Sequence, residues 1–335
     1  MYTEPVQQGK REDKGKGILF VVRRIALYLE SFTLPLDRED NLIGNRMEEN
    51  GGIYGYIDNI YPCGLFKEKE LREINFRNVT IFYGGNGSGK STLLNLIAAK
   101  LELNRVAPFN TGELFDAYAA SCEYTMAYDD EGFKQRIPNG SRIITSDDIF
   151  DYMLTVRTNN AEIAEEIERG KIEYKRLKYG DTVKFGGMED YEALRMQVLA
   201  RHKSKSRRQF IRRTAGTEVK LNSNGETALS YFESKLKNDT LYCLDEPENS
   251  MSPKMQLELM EMLEKMARFC GCQFIIATHS PFLLSLKGAQ IYDLDASPVD
   301  IKNWWELENT RIYYEFFSRH KKLFGDQEGI CYLPR

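Results

Sequence analysis

The stretch Gly84–Thr92 constrains this chain more than any other, because it matches the pattern G-x-x-x-x-G-K-[ST] without a mismatch. The residues before it, Asn78–Tyr83, are β-branched and aromatic, and they predict a buried strand. The residues after it, Thr92–Leu101, place apolar side chains at helical spacing. The sequence therefore predicts a strand, a glycine-rich turn and a helix, in that order.

A turn of this kind suits phosphate groups. Its glycines allow backbone N–H groups to point inward, and the following helix adds a partial positive charge at its N-terminus. Lys90 can reach the β- and γ-phosphates of a nucleotide, and Ser91 can offer its hydroxyl to Mg²⁺. The candidate ATP-binding residues are Gly84, Asn86, Gly87, Ser88, Gly89, Lys90, Ser91 and Thr92. The alternative is a glycine-rich turn that contains Lys-Ser by coincidence.

Length and composition indicate a globular protein of one large domain or two ordinary ones. The chain has 335 residues, of which 42% are hydrophobic and 29% charged, and its net charge of −4 indicates no general attraction to nucleic acid. No apolar run approaches the ~20 residues that a membrane span needs. Residues 1–17 are polar and predict a flexible tail. Six cysteines without a C-x-x-C pair are typical of free thiols, and we expect a cytoplasmic location.

A second motif, Leu241–Glu246, has four largely apolar residues followed by two carboxylates. It predicts a buried strand that delivers acids at its C-terminal end, where open α/β sheets bind ligands. Asp245 is suited to hold Mg²⁺, and Glu246 to orient or deprotonate a water molecule that attacks the γ-phosphate. The alternative is a strand that ends in a solvated acidic turn.

A third motif is the apolar run Phe274–Thr278, which predicts another buried strand and ends at His279. The predicted helix Pro253–Cys270 lies between the two strands and can supply the crossover that parallel strands require. His279 can then sense the γ-phosphate by hydrogen bonding. A histidine at a strand end would otherwise be structural.

The middle of the chain has weaker patterns. Helices are predicted over Asp147–Leu154, Ala161–Lys178 and Glu189–His202, and none is long enough for a sustained coiled coil. The segment Arg201–Arg213 is strongly basic; a solvated surface is the favoured interpretation, and a surface for nucleic acid or an acidic partner is the alternative. Ser223–Glu226 stands at a predicted helix start and could bind an anion or simply cap the helix.

Taken together, these residues resemble the ABC-type ATPase superfamily. Walker A is Gly84–Ser91, the signature is Asn222–Glu226, Walker B is Leu241–Glu246, and the switch histidine is His279. The sequences DEPENSMSP and ATHSP look like those of soluble, single-head ATPases of the loosely defined AAA family, relatives of SMC-like repair heads and of OLD-type and Septu-type defence ATPases. The resemblance covers roughly residues 20–320 and includes the aromatic segment Ile312–Phe317.

The resemblance implies an α/β fold of the P-loop NTPase type. We expect a mixed central sheet flanked by helices, an antiparallel β subdomain and an inserted helical lobe. The single ATPase domain would span residues 18–335. Its core lobe would comprise about 18–105 and 238–335, and the inserted helical and signature lobe about 106–237.

The resemblance also implies an activity, namely Mg²⁺-dependent ATP hydrolysis with Glu246 and His279 as catalytic residues. The signature residues Ser223, Asn224, Gly225 and Glu226 would act on ATP held by another protomer. That arrangement implies a head-to-tail homodimer with ATP between the heads. A role with a partner effector in antiphage or mobile-element defence is the leading interpretation. The alternatives are a DNA- or RNA-binding repair-type scaffold with little turnover and an ATPase subunit of a transporter.

Some positions depart from the family pattern. Ser252 stands where transporters have an aspartate, and Asn224 replaces the usual first glycine of the signature. The glutamine of the Q-loop has two candidate positions, Gln135 and the segment Ser146–Asp148. The aromatic residue that stacks on adenine has no assignment from the sequence.

Overall fold

The structure of the chain is a computed structural model that describes residues 27–35, 61–109, 111–182, 187, 190–201 and 224–324. The predicted tail 1–17 lies outside the described residues. The strands are β1 (Leu29–Thr33), β2 (Glu73–Asn75), β3 (Val79–Tyr83), β4 (Glu123–Met126), β5 (Arg142–Thr145), β6 (Leu241–Asp245), β7 (Gln273–Ala277), β8 (Gln290–Asp293) and β9 (Asp300–Ile301). The helices are α1 (Lys90–Lys100), α2 (Glu113–Ser121), α3 (Ser146–Tyr179), α4 (Tyr191–Arg201), α5 (Asn224–Lys235), α6 (Pro253–Phe269), α7 (Pro281–Leu284), α8 (Glu308–Arg319) and α9 (Lys321–Phe324).

The strands form two sheets. The central sheet has the order β5-β6-β7-β3-β8-β9 and is parallel except for β9, which runs antiparallel to β8. The smaller sheet, β2-β1-β4, is antiparallel throughout. The fold class expected from the sequence, a mixed α/β P-loop fold with an antiparallel β subdomain, is confirmed.

The inner strands of the central sheet are covered on both faces, which explains their nearly unbroken apolar sequences. Every residue of β3 and β7 is buried, and β6 is buried except at its last residue, Asp245. One core cluster joins the sheet to α1 and the antiparallel sheet, and a second joins it to α5 and α6 on the other face. The polar residues that follow these strands therefore gather along one edge of the sheet.

The strand β5 pairs with β6, so this short segment belongs to the central sheet although it falls within the range 106–237 expected for the inserted lobe. The range also contains the helix α2 (Glu113–Ser121), and its long helix begins at Ser146. The lobe boundaries themselves stay a prediction.

The helix α3 differs from expectation, because the predicted helices Asp147–Leu154 and Ala161–Lys178 are one continuous helix of 34 residues. It is about 51 Å long at 1.5 Å per residue. The intervening residues 155–160 contain neither glycine nor proline, so nothing interrupts the helical hydrogen bonds. The helix is capped by Thr145, which forms a capping box with Asp148.

The helix α4 packs against the far end of α3, where Tyr174 and Ala200 are buried. Arg201, the first residue of the basic segment, donates hydrogen bonds to the carbonyl oxygens of Leu177 and Gly180 at 3.2 and 2.6 Å. This guanidinium therefore caps the C-terminal end of α3. The rest of the basic segment, residues 202–213, lies outside the described residues.

The helix α6 provides the predicted crossover between β6 and β7. It starts with Pro253, and the Ser252 side chain accepts a hydrogen bond from the Met255 N–H, which makes Ser252 its N-cap. Ser252, which stands where transporters have an aspartate, therefore marks the start of α6. Among the described helices, none is long and apolar enough to cross a membrane.

Candidate active site

The loop between β3 and α1 has the backbone conformation that its glycines allow. Gly87 and Gly89 have φ angles of 81° and 98°, in the left-handed region that favours glycine. A Cβ atom at Gly84 would lie 2.4 Å from the Ser88 hydroxyl oxygen, which leaves no room for a side chain. The loop leads directly into α1, and the first backbone N–H groups of this helix have no hydrogen-bond acceptor inside the helix.

The loop borders a cavity of about 450 Å³, within the usual range for small-molecule sites. Its lining is the run Asn86–Thr92 together with Tyr61, Leu65 and Glu246. Ser88 Oγ is buried and has no hydrogen-bond partner among the described residues. An orphaned hydroxyl, helix N–H groups and a cavity of this size fit the phosphates of a nucleotide.

Lys90 crosses the loop. Its side chain is only 5% exposed, and its ammonium donates hydrogen bonds to the carbonyl oxygens of Gly84 and Gly85 at 2.7 and 2.9 Å. The same nitrogen lies 3.9 Å from the Glu246 carboxylate. The cation is thus held between the loop and the acidic strand, where it can meet the phosphates of a nucleotide.

Asp245 and Ser91, the two residues predicted to bind Mg²⁺, are in contact. The Ser91 hydroxyl donates a hydrogen bond to Asp245 Oδ1 at 3.0 Å. Burial, and to a smaller degree the neighbouring Glu246 charge, raises the pKa of the Asp245 carboxyl to about 6, although Ser91, Lys90 and Arg105 act in the opposite direction. A buried carboxylate beside a hydroxyl is an oxygen donor pair that fits Mg²⁺.

Glu246 and His279, the predicted catalytic pair, also come together. The Glu246 N–H donates to the Ala277 carbonyl oxygen at 2.9 Å, which joins the ends of β6 and β7. His279 Nδ1 lies 3.8 Å from Glu246 Oε1. Glu246 has a φ of 47°, a left-handed conformation that non-glycine residues rarely adopt and that is common at functional positions.

Glu248 is a site residue to which the sequence analysis assigned no role. Its side chain is 5% exposed, and its Oε1 accepts hydrogen bonds from the Thr278 hydroxyl and from the N–H groups of His279 and Ser280. Burial raises the pKa of its carboxyl. Glu248 therefore fixes the loop that carries His279 to the loop that carries Glu246. In the sequence, the position of Glu248 two residues after Glu246 was the signal that could have marked it as a site residue.

Asp295 is a second residue that the sequence analysis missed. It follows β8, which pairs with β3, and its Oδ2 accepts a hydrogen bond from the Gly85 N–H at 2.8 Å. This contact holds the start of the phosphate loop against the neighbouring strand. A polar residue just after a parallel strand was again the signal, since such residues lie along the ligand-binding edge.

Tyr61 lies beside the cavity, where the sequence left an aromatic residue unassigned. Its hydroxyl donates to Thr92 Oγ1 at 2.9 Å, and its ring stacks on Phe115 with centroids 6.2 Å apart. Leu65 lines the same side of the cavity. The apolar wall next to the loop is thus formed by a turn that no periodic pattern marked.

Of the two Q-loop candidates, the Ser146–Asp148 segment starts at the edge of the sheet that holds Asp245. Thr145 pairs with Asp245 in register, so the chain enters α3 directly beside the Walker B acid. Asp148 is engaged by hydrogen bonds from the N–H groups of Thr145 and Ala107. Gln135 lies after β4, where its N–H donates to the Ala127 carbonyl oxygen.

The signature residues lie at the start of α5, which runs from Asn224 to Lys235. Ser223 lies outside the described residues, and the side chains of Asn224 and Gly225 are likewise not described. Glu226 is exposed in the first turn. The helix start that the sequence predicted is present, and the action of these residues on another protomer stays a prediction.

The loop, the acidic strand end and the cavity define a P-loop nucleotide-binding protein. Residues 72–249, just over half of the chain, match the family model described as "ABC transporter". Residues 226–285 match a model described as "AAA domain, putative AbiEii toxin, Type IV TA system". No curated protein matches the chain significantly. The chain belongs to the ABC family, as an ATP-binding domain of that family.

Several solved structures resemble the chain. The Smc head domain of Pyrococcus furiosus, bound to the C-terminal domain of ScpA, shares 12% identity with a TM-score of 0.35 and covers 73% of this chain and 94% of its own. The SMC head domain of Thermotoga maritima shares 18% sequence identity with a TM-score of 0.32, and the match covers 69% of this chain and 92% of that domain. The ATP-binding cassette MJ0796, bound to ADP and Pi, shares 17% sequence identity with a TM-score of 0.33, and the match covers 70% of this chain and 90% of that cassette.

Proposed function

We propose that this chain binds and hydrolyses ATP and that the nucleotide switches it between separate and paired heads. One observation carries the proposal. Lys90 and Glu246, which the sequence placed in two distant motifs, line one cavity beside the phosphate loop, and Asp245 is hydrogen-bonded to Ser91 in the same lining.

Binding is assigned to the loop and its cation. The N–H groups at the start of α1 would donate hydrogen bonds to the phosphate oxygens. Lys90 would exchange its bonds to the Gly84 and Gly85 carbonyl oxygens for bonds to phosphate oxygens. Ser91 and Asp245 would hold Mg²⁺, which when bound neutralises charge on the β- and γ-phosphates.

Hydrolysis is assigned to Glu246 and His279. Glu246 is 26% exposed at the cavity and can accept a proton from a water molecule or orient it. His279 is 45% exposed, so its ring can reach the γ-phosphate while Nδ1 faces the carboxylates of Glu246 and Glu248. The neighbouring acids would hold the ring in the orientation that this contact needs.

Pairing of heads follows from the family resemblance, in which Ser223, Asn224, Gly225 and Glu226 complete the site of a second protomer. One chain carries one Walker A and one signature, so two chains would form two sites. ATP would favour the paired state because the signature contacts the γ-phosphate only there, and hydrolysis would release it.

A role in antiphage or mobile-element defence, with a partner effector, is favoured by the match of residues 226–285 to a model whose description names a toxin of a Type IV TA system. The alternatives are a DNA- or RNA-binding scaffold that uses Arg201–Arg213 and an ATPase subunit of a transporter. Identifying the genes beside this one would distinguish these three roles. A neighbouring nuclease gene would favour defence, and a neighbouring permease gene would favour transport.

The decisive experiment compares Glu246→Gln with Lys90→Ala in purified protein. Glu246→Gln should bind ATP, lose at least a hundredfold in phosphate release and double its mass on adding Mg²⁺ and ATP. Lys90→Ala should neither bind nor change mass. A Glu246→Gln protein whose mass is unchanged at saturating ATP would refute the switch.

A further inference from the structure

The last described helices, α8 and α9, form an apolar surface outside the active site. Leu307 is fully buried, and the Asn309 N–H donates to the Tyr83 hydroxyl at 3.1 Å, so the start of α8 is anchored on the core. Beyond that point Thr310 is the buried residue of α8, and α9 has none. The helices therefore project from the body of the domain.

Six large apolar residues on these helices share one face. At 100° per residue, those of α8 fall within an arc of about 140°, and the α9 pair continues it. We call them the aromatic stripe: Ile312, Tyr313, Phe316, Phe317, Leu323 and Phe324. They are 49% to 81% exposed. Arg311 and Glu315 lie on the other side of α8, and Tyr314 lies with them, beside the Arg311 guanidinium. Glu308 and Arg319 lie along one border of the stripe, next to Ile312.

The stripe is large enough to form one side of an interface. A fully covered aromatic side chain buries about 150–250 Å², so six half-exposed residues offer on the order of 600 Å². A stable interface buries about 600–1,000 Å² on each partner, so the stripe reaches the lower end of that range. Exposed patches of this size usually mark a contact surface.

The charges at the two ends of α8 indicate what covers the stripe. Glu308 stands at the N-terminal end, whereas Arg319, Lys321 and Lys322 follow at the C-terminal end. Two copies of α8 that pair antiparallel about their midpoint bring Glu308 of each helix opposite Arg319 of the other. This pairing also opposes the two helix dipoles. A polyanion such as nucleic acid would meet the acidic end unfavourably.

We propose that α8 and α9 form a two-fold interface between two copies of this chain, in which the aromatic stripe of one copy packs against that of the other. The same patch serves both subunits, as two-fold symmetry requires. This interface needs no nucleotide, so it is separate from the ATP-dependent pairing proposed above.

The first test is the mass of the nucleotide-free protein in solution, measured by light scattering after size-exclusion chromatography. The wild-type chain should have the mass of two copies, and Phe316→Asp should have the mass of one. Tyr314→Asp is the matched control, because it introduces the same residue on the opposite side of the same helix. A wild-type chain with the mass of one copy, or equal dissociation by both substitutions, would overturn the proposal.

The second test uses charge reversal. Glu308→Lys or Arg319→Glu alone should weaken self-association several-fold, and the two together should restore it, because each reversed charge again meets its opposite. A double variant that associates no better than the single ones would overturn antiparallel pairing. Single-stranded RNA bound by a wild-type monomer and lost in Phe316→Asp would overturn the choice of a second copy.

The two proposals can fail separately. Phe316→Asp lies outside the nucleotide site, so its ATP affinity should equal that of the wild type. The ATP-dependent doubling of mass can be measured in Phe316→Asp combined with Glu246→Gln, where only the nucleotide can bring two chains together.

Discussion

Glu248 and His279 follow different strands of the central sheet, yet Oε1 of Glu248 accepts a hydrogen bond from the His279 N–H at 3.2 Å and lies 3.9 Å from its Nδ1. The same oxygen also accepts from Ser280 N–H at 3.2 Å and from the Thr278 hydroxyl. One buried carboxylate thus sets the position of the whole loop after β7. The histidine that would sense the γ-phosphate is therefore positioned by a residue that need not touch the nucleotide.

Replacing Glu248 with alanine should reduce both stability and hydrolysis. Three donors would lose their shared acceptor in a buried place, at a cost of about 2–4 kcal/mol. The melting temperature should fall by several degrees, and the rate of phosphate release should fall at least tenfold because His279 is no longer held. Thermal melts and a phosphate-release assay measure the two effects.

The isosteric variant separates packing from charge. Glu248→Gln keeps an acceptor oxygen for the same donors, so it should melt closer to the wild type than Glu248→Ala does. ATP affinity should be within twofold of wild type in both, because neither change touches the phosphate loop. A Glu248→Ala protein with wild-type turnover would contradict the positioning role.

Asp295 should influence nucleotide binding through the loop that it holds. Asp295→Ala removes the acceptor of the Gly85 N–H, and we expect a three- to tenfold loss of ATP affinity, about 1 kcal/mol. Asp295→Asn keeps an acceptor oxygen and removes a negative charge near the phosphates, so its affinity should equal or exceed that of the wild type. Titration calorimetry would show the order; equal losses in both variants would count against the anchoring role.

Asp245 should make the nucleotide-free protein less stable at neutral pH. Its pKa in the folded state is about 6, against an ordinary value of 3.8, so folding favours its protonated form. The free energy of unfolding should therefore rise as the pH falls from about 6 toward 4, because the Asp245 carboxyl then takes up a proton more readily in the folded state than in the unfolded state. Asp245→Asn, which is always neutral, should be more stable than the wild type above pH 7 by up to roughly 3 kcal/mol.

The control for that prediction is Asp151→Asn, which makes the same substitution at an exposed acid on α3. Melts without Mg²⁺ or nucleotide at pH 7.5 and near pH 4 would measure the difference. The advantage of Asp245→Asn should largely disappear at the lower pH, where the wild-type carboxyl is protonated in the folded state and about half protonated in the unfolded state. An advantage that is independent of pH would contradict the assignment.

The basic segment gives a prediction that rests on sequence alone. If Arg201–Arg213 binds DNA or RNA, retention should weaken steeply with salt, because phosphate contacts release counterions. Replacing Arg207, Arg208, Arg212 and Arg213 with alanine should abolish retention while ATP binding is unchanged. Unchanged retention after these substitutions would reject the segment as a nucleic-acid surface.

Much of the site was predictable because its parts are short and local. The phosphate loop lies within nine consecutive residues, and the strand that ends in Asp245 and Glu246 lies within six. Apolar runs ending in polar residues indicate buried strands with ligand-binding ends whatever the rest of the chain does. The single helix α3 was missed because polar residues in its middle weakened the apolar period although nothing broke the backbone.

The sequence by itself determined that a phosphate loop, an acidic strand end and a histidine-ended strand exist in this chain, since each depends on neighbouring residues. Only the tertiary structure decided that Glu248 holds the His279 loop and that Asp295 holds Gly85, because these pairs are far apart in sequence and meet through the order of strands in the sheet. It also decided that the stripe on α8 and α9 is exposed. Helical period tells which side chains share a face, but not whether another element covers it.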